Sequence, residues 1–149
     1  MSTHWSVLVD PLEWAEACEG DACVAARTEH GLVIQPIDEH AAIESWAGTA
    51  AVLGARVRSA SPTEYALLLV GEVEQEQPSP NPDLPHQTET LIMIWADHRG
   101  ERAMLLIPFR RVAGVVAWGE PFAMEGVTGH LDFDQVETAF WRSVRAAPG

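Results

Sequence analysis

The chain has 149 residues, 47% hydrophobic and 21% charged, values of one globular domain that exclude a disordered chain. Twenty-two acids against nine basic residues give a net charge of −13, a sign that repels nucleic-acid phosphates and anionic membranes. Apolar runs such as Leu91 to Ala96 and Met104 to Phe109 fall far short of the ~20 residues that span a bilayer.

The start of the chain, Met-Ser-Thr-His-Trp, has neither the basic region nor the apolar stretch of a secretory signal, so a cytoplasmic location is expected. Residues 5–9, WSVLV, read as a short strand. Asp10-Pro11-Leu12-Glu13 then starts a helix, with Asp10 as cap, Pro11 at the first turn and Glu13 at the capping-box position. Val9 and Trp14 fit a hydrophobic staple, and Gly20 is a natural stop. On this helix Glu13, Glu16 and Glu19 should form an acidic stripe, with Trp14, Ala17 and Cys18 facing the core.

Residues 22–28 and 31–37 read as a hairpin around Glu29-His30-Gly31. Asp38 is expected to cap a second helix that ends at Gly48, with Ala42, Ile43, Trp46 and Ala47 on its apolar face. The segments 49–58, 63–74, 88–97, 102–109 and 112–118 are rich in Val, Leu and Ile and read as strands. Within them LIMIW suggests a central strand covered on both faces, and His98-Arg99-Gly100-Glu101 reads as a hairpin turn. Residues 75–87, with four prolines, read as a loop inside a single domain spanning 1–149. Near the end, Asp132 and Gln135 make a capping box and Leu131 and Val136 a staple. Val136, Phe140, Trp141 and Val144 then give the helix its apolar face. The expected fold class is α+β: a mainly antiparallel sheet of about five to seven strands with two N-terminal helices and one C-terminal helix packed on it.

Missing residues narrow the chemistry. The chain has no lysine, which excludes Schiff-base catalysis and a Walker A phosphate loop. It carries no GxGxxG, HExxH or GxSxG signature. No cofactor, metal or catalytic residue is assigned. Cys18 and Cys23 have a spacing foreign to zinc ribbons and CxxC redox motifs. They read as ordinary thiols, and the acidic neighbours Glu16, Glu19 and Asp21 should raise their pKa. His130, Asp132 and Asp134 could ligate a metal, although helix capping already accounts for the acids. His4, His30, His86 and His98 fall in turns, loops or the terminal segment.

Two functional readings remain. The leading one uses the charge. Residues 1–50 hold nine acids and one arginine, a net −8; residues 51–100 carry −4 and residues 101–149 carry −1. This asymmetry suits an acidic, non-enzymatic binding domain, such as an inhibitor or immunity protein that neutralises a basic protein partner. Glu13, Glu16, Glu19, Glu72, Glu74 and Glu76 are its candidate contacts; the last three alternate along a strand end and share a side. Two unrelated solvated faces would give the same pattern. The rival is a small-ligand protein or motif-poor enzyme with a pocket between sheet and helices, lined by Trp46, Trp95 and Trp118 with His40 and Glu44. His40 and Glu44 are four residues apart and would share a helix face. Core packing explains most of the six tryptophans equally well. The oligomeric state is not legible.

Overall fold

The computed structural model describes residues 10–74, 87–123 and 131–146. Its elements are α1 (Pro11–Ala17), β1 (Cys23–Thr28), β2 (Gly31–Pro36), α2 (Ile43–Val57), β3 (Glu64–Glu74), β4 (Gln87–Asp97), β5 (Arg102–Val112), β6 (Val115–Trp118), β7 (Phe122–Ala123) and α3 (Leu131–Arg145), with a 3-10 turn at Arg58–Ala60. The sheet runs in the order β2-β1-β3-β4-β5-β6, and β7 pairs with β5. Every pairing is antiparallel. The fold is the expected α+β arrangement, with two helices before the long strands and one after them.

Local chemistry explains several boundaries. Asp10 Oδ1 accepts from the Leu12 N–H at 3.2 Å, with Pro11 opening α1. In the β1–β2 turn, Thr28 Oγ1 donates to Gly31 O and accepts from His30 N–H, both at 3.0 Å, and Gly31 takes φ +109°. In the β4–β5 turn, Asp97 Oδ1 accepts from the N–H groups of Arg99 and Glu101, both at 2.9 Å.

Strand alternation divides the core in two. On one face Trp14 and Ala15 of α1, with Cys18 just after it, pack over Ala25, Leu68, Leu91, Met93, Ile107 and Phe109. On the other, α2 and α3 bring Leu53, Val57, Val136, Phe140 and Trp141 against Val24, Tyr65, Leu67 and Leu69. LIMIW is the expected two-faced strand: Leu91, Met93 and Trp95 face α1, while Ile92 and Ile94 face α2 and α3. The α2–α3 seam is fastened by Ser143 Oγ donating to Ala51 O at 2.6 Å and Arg58 Nε donating to Ser143 O at 3.0 Å. Arg102 ties β5 to Asp134 and Glu137 of α3 at 3.4 and 3.0 Å. Among the described residues no helix is long and apolar enough to cross a membrane.

Several boundaries differ from the sequence reading. The second helix does not end at Gly48, and 49–58 is not a strand; α2 runs unbroken to Val57. Its buried residues Ala50, Leu53, Gly54 and Val57 recur at i, i+3, i+4 and i+7, a helical period masked by the β-branched residues. Asp38 is not its cap: that position falls to Ala42, and Asp38 Oδ1 accepts from the His40 N–H at 2.9 Å. On α1 the buried small residue is Ala15 rather than Ala17. β5 extends to Val112, and a turn with Ala113 and Gly114 at positive φ precedes β6. Asp132 lies inside α3 rather than capping it. The expected strand at 5–9, with Val9 of the staple, and the proline loop at 75–86 lie outside the described residues, as do His4, His86 and His130; Gln87 opens β4.

Tyr65 is 1% exposed and its ring lies 5.1 Å from that of Phe140. Burial pushes its hydroxyl pKa well up, and the hydroxyl has no hydrogen-bond partner among the described residues. Tyr65→Phe removes that buried polar group and keeps the ring. It is expected to stabilise the fold by about 1 kcal/mol in urea unfolding; a loss of stability would mean that the hydroxyl is satisfied in the folded protein.

Candidate functional site

The segment Cys18-Glu19-Gly20-Asp21-Ala22 joins α1 to β1. Glu19 and Gly20 both adopt left-handed backbone, at φ +56° and +74°, which ends the helix sharply. A Cβ on Gly20 would stand 3.1 Å from Arg111 Nη2 and 3.6 Å from both Phe109 and Trp118, so this position needs glycine for space as well as for φ. Arg111, at the far end of β5, straps the loop. Its Nη2 donates to Glu19 O at 3.4 Å, to Gly20 O at 3.3 Å and to Asp21 Oδ1 at 3.3 Å. Its guanidinium lies 5.7 Å from the centre of the Phe109 ring, which in turn packs at 5.4 Å on Trp118.

Two concavities meet at Asp21 and Arg111. One, of about 370 Å³, runs between Glu16, Glu19 and Asp21 on one side and Val116 and Trp118 on the other. The second, of about 570 Å³, continues past Asp38, Glu39, His40, Val70 and Glu89. Together they form one groove along the end of the sheet. Glu16, Glu19, Asp21, Asp38, Glu39 and Glu89 line it, and among the described residues Arg111 is its one arginine. Glu39 also holds the framework: its Oε1 accepts from the Val70 N–H at 3.0 Å, beyond the last β1–β3 pair at Cys23 and Leu68.

The predicted acidic contacts separate. Glu16 and Glu19 line the groove, but the left-handed turn at Glu19 breaks the helical stripe. Glu13 points elsewhere. It pairs with Arg27, whose Nε also meets Glu64 Oε2 at 2.7 Å and whose guanidinium lies 5.5 Å from the centre of the Trp14 ring. Glu64 Oε1 in turn accepts from Trp95 Nε1 at 2.9 Å. These contacts, Glu13 foremost, hold the Arg27 pKa above its ordinary value, and the chain of pairs docks α1 on β1 and β3. Glu72 and Glu74 lie on β3, in register with Glu89 and Gln87; Glu76 lies outside the described residues.

The tryptophan pocket is not assembled. Trp46 packs on the α2–α3 side and donates from Nε1 to Asp38 O at 2.8 Å, while Trp95 and Trp118 belong to the opposite face. The sheet lies between them. His40 precedes α2 instead of sharing a helix face with Glu44, and both are exposed.

Among the described residues no group of three or more His, Cys, Asp or Glu side chains could hold a metal ion. No family model, curated protein or solved structure matches the chain.

Cys18 and Cys23 are both free and buried in the same core cluster, and Cys18 Sγ donates to Ala15 O at 3.3 Å. Cys23 is the largest influence on Cys18 and holds its pKa below the usual thiol value, helped by the backbone of Gly20 and Asp21 against the opposing effect of burial. The expected rise from acidic neighbours therefore fails for Cys18. Cys23 is pushed far up, by the Cys18 side chain first and by burial second, with Asp21 adding to the rise.

Sequence reasoning missed Asp21, Asp38, Glu39, Glu89 and Arg111 as one site. Gly20 did signal the end of α1, but no local pattern connects that point to Arg111, about ninety residues along.

Proposed function

We propose that the chain is a non-enzymatic binding module that receives a basic protein partner in the acidic groove beside Arg111, as an inhibitor or immunity protein does when it neutralises a basic toxin or nuclease. The observation that carries this reading is the convergence of Glu16, Glu19, Asp21, Asp38, Glu39 and Glu89 from four separate segments on one groove. Carboxylates so gathered repel one another, and a basic partner relieves that repulsion while its approach is steered by the field. Trp118 and Val116 add an apolar wall, the kind of surface on which an interface anchors. Arg111 is already committed to the loop and pairs with Asp21, so it shapes the groove and offsets one of its six carboxylates. A cytoplasmic location agrees with two cysteines that are both free thiols.

The test is affinity capture from lysate at low and high salt with wild-type protein and with Glu16→Arg/Glu19→Arg/Glu89→Arg, followed by titration of the recovered protein against both. A basic partner should elute as salt rises and bind the triple variant at least roughly tenfold more weakly. A variant that melts like wild type and binds the partner equally well would remove the groove from the account.

A further inference from the structure

We infer that the open edge of β3 beyond Leu68 accepts an extended segment of the basic partner as an added β-strand. The backbone of that segment pairs with Glu72 and Glu74, and its cationic side chains lie in the acidic groove.

The strand register exposes this edge. β4 pairs with β3 along its whole length, from Glu64 with Asp97 to Glu74 with Gln87. On the other side β1 pairs with β3 only from Arg27 with Glu64 to Cys23 with Leu68. From Leu69 to Glu74, β3 therefore runs on with a neighbour on one side only. The backbone groups of an antiparallel strand turn alternately to its two neighbours. Thr63 O accepts from the His98 N–H at 2.9 Å, on the β4 side. The Val70 N–H points the other way and donates to Glu39 Oε1 at 3.0 Å. The even positions thus face the β1 side. Among the described residues Val70 O and the N–H and C=O groups of Glu72 and Glu74 have no partner there. Such a row of groups is a template for another backbone. Glu39 marks the place: just past the end of β1, its carboxylate takes the position of a neighbouring strand's carbonyl. The concavity of about 570 Å³ opens beside it, between Val70, Glu39, His40 and Glu89.

Charge selects the occupant. Glu72, Glu74 and Glu89 bring acids to this end of β3 and β4, and Asp38 and Glu39 line the groove beside it. A second copy of the chain, at net −13, would set the same acids against them, and like charge on an edge keeps copies apart. A segment with arginine or lysine at alternate positions meets the opposite field. In an added strand alternate side chains share one face, here the face on which Val70 and Glu89 line the groove. Main-chain hydrogen bonds then supply affinity without regard to sequence, and the carboxylates supply the preference for a basic segment. This inference rests on the binding role proposed above and states how the partner is held.

The experiment adds a synthetic peptide of alternating arginine and threonine to the full-length chain at low salt and reads amide hydrogen exchange residue by residue by NMR. The Glu72 and Glu74 amides should exchange at least roughly tenfold more slowly with the peptide bound, while Gly71 and Val73, already paired with β4, should not change. Glu72→Pro and Glu72→Gln lose the same charge, but only proline removes the N–H on the open side. Glu72→Pro should therefore bind the peptide at least roughly tenfold more weakly than Glu72→Gln. The exchange readout on the wild-type chain stands whether or not the proline variant folds. A peptide that fails to bind, or that binds without protecting Glu72 and Glu74, would overturn the added strand. So would protection that rises with protein concentration in the absence of peptide, which would give the edge to a second copy. The groove fails separately: if Glu16→Arg/Glu19→Arg/Glu89→Arg bound the peptide as wild type does with the same amides protected, the edge would stand and the acidic groove would fall. Weaker binding by that triple variant, with no protection in the wild type, would leave the groove and remove the edge.

Discussion

Gly54→Val is expected to destabilise the fold by about 3 kcal/mol or more, through overpacking and broken hydrogen bonds at the α2–α3 seam. A Cβ at Gly54 would stand 2.5 Å from Phe140 O and 2.9 Å from Ser143 Cβ. The first of these is backbone inside α3 and cannot swing aside. The helices must therefore part. Parting them breaks the Ser143–Ala51 and Arg58–Ser143 hydrogen bonds and loosens Leu53 and Phe140, both fully buried. Urea unfolding followed by far-UV circular dichroism measures the loss. Gly48→Ala, in the same helix, is the control: a Cβ there meets nothing within 4 Å. Relief of glycine's entropic cost should stabilise that variant by ~0.5–1 kcal/mol. Equal effects at the two positions would show that the seam yields freely and that close approach at Gly54 is not what sets the helix spacing.

Trp14→Ala should cost about 4 kcal/mol, because it empties a fully buried site. Trp14 is 0% exposed and packs with Ala15 and Cys18 against the sheet. It also lies under the Arg27 guanidinium. α1 has only seven residues, too few to persist without tertiary contacts, so the loss should fall first on this element. Hydrogen exchange of the α1 amides and of the loop up to Cys23 should accelerate more than that of β3 and β4. Trp14→Phe keeps most of the buried ring and removes an indole N–H that has no hydrogen-bond partner among the described residues. It should cost only about 1 kcal/mol. If Trp14→Ala melted within a few degrees of wild type, α1 would not be anchored through this side chain.

Elements with local causes were legible from the chain alone. Pro11 after Asp10 opens α1, and Gly31 and Gly100 meet turns with positive φ. LIMIW declared a strand with two covered faces because apolar residues fill both of its alternating positions. The end of α2 was not legible. Gly48 looked like a stop, and Thr49, Val52 and Val57 looked like strand. Yet the helix continues because Ala50, Leu53, Gly54 and Val57 pack on one side against α3. Contact with residues roughly ninety positions away outweighed local propensity, which is worth only tenths of a kcal/mol per residue.

The groove shows the same division. The sequence by itself determined an excess of acids, their concentration in the first fifty residues, the absence of lysine and the α+β class. Composition and period are properties of the chain, and no folding is needed to read them. Only the tertiary structure decided which carboxylates act together. Glu13 looked equivalent to Glu16 but is neutralised by Arg27, while Glu89 and Glu39, far from either in sequence, join Glu16 and Asp21 around the loop that Arg111 holds. Tertiary structure also set the thiols apart, placing Cys18 at the end of α1 and Cys23 inside the sheet. The reason is physical: charge and thiol reactivity depend on distances of a few ångströms, and these are fixed by antiparallel register and by two left-handed residues rather than by spacing along the chain.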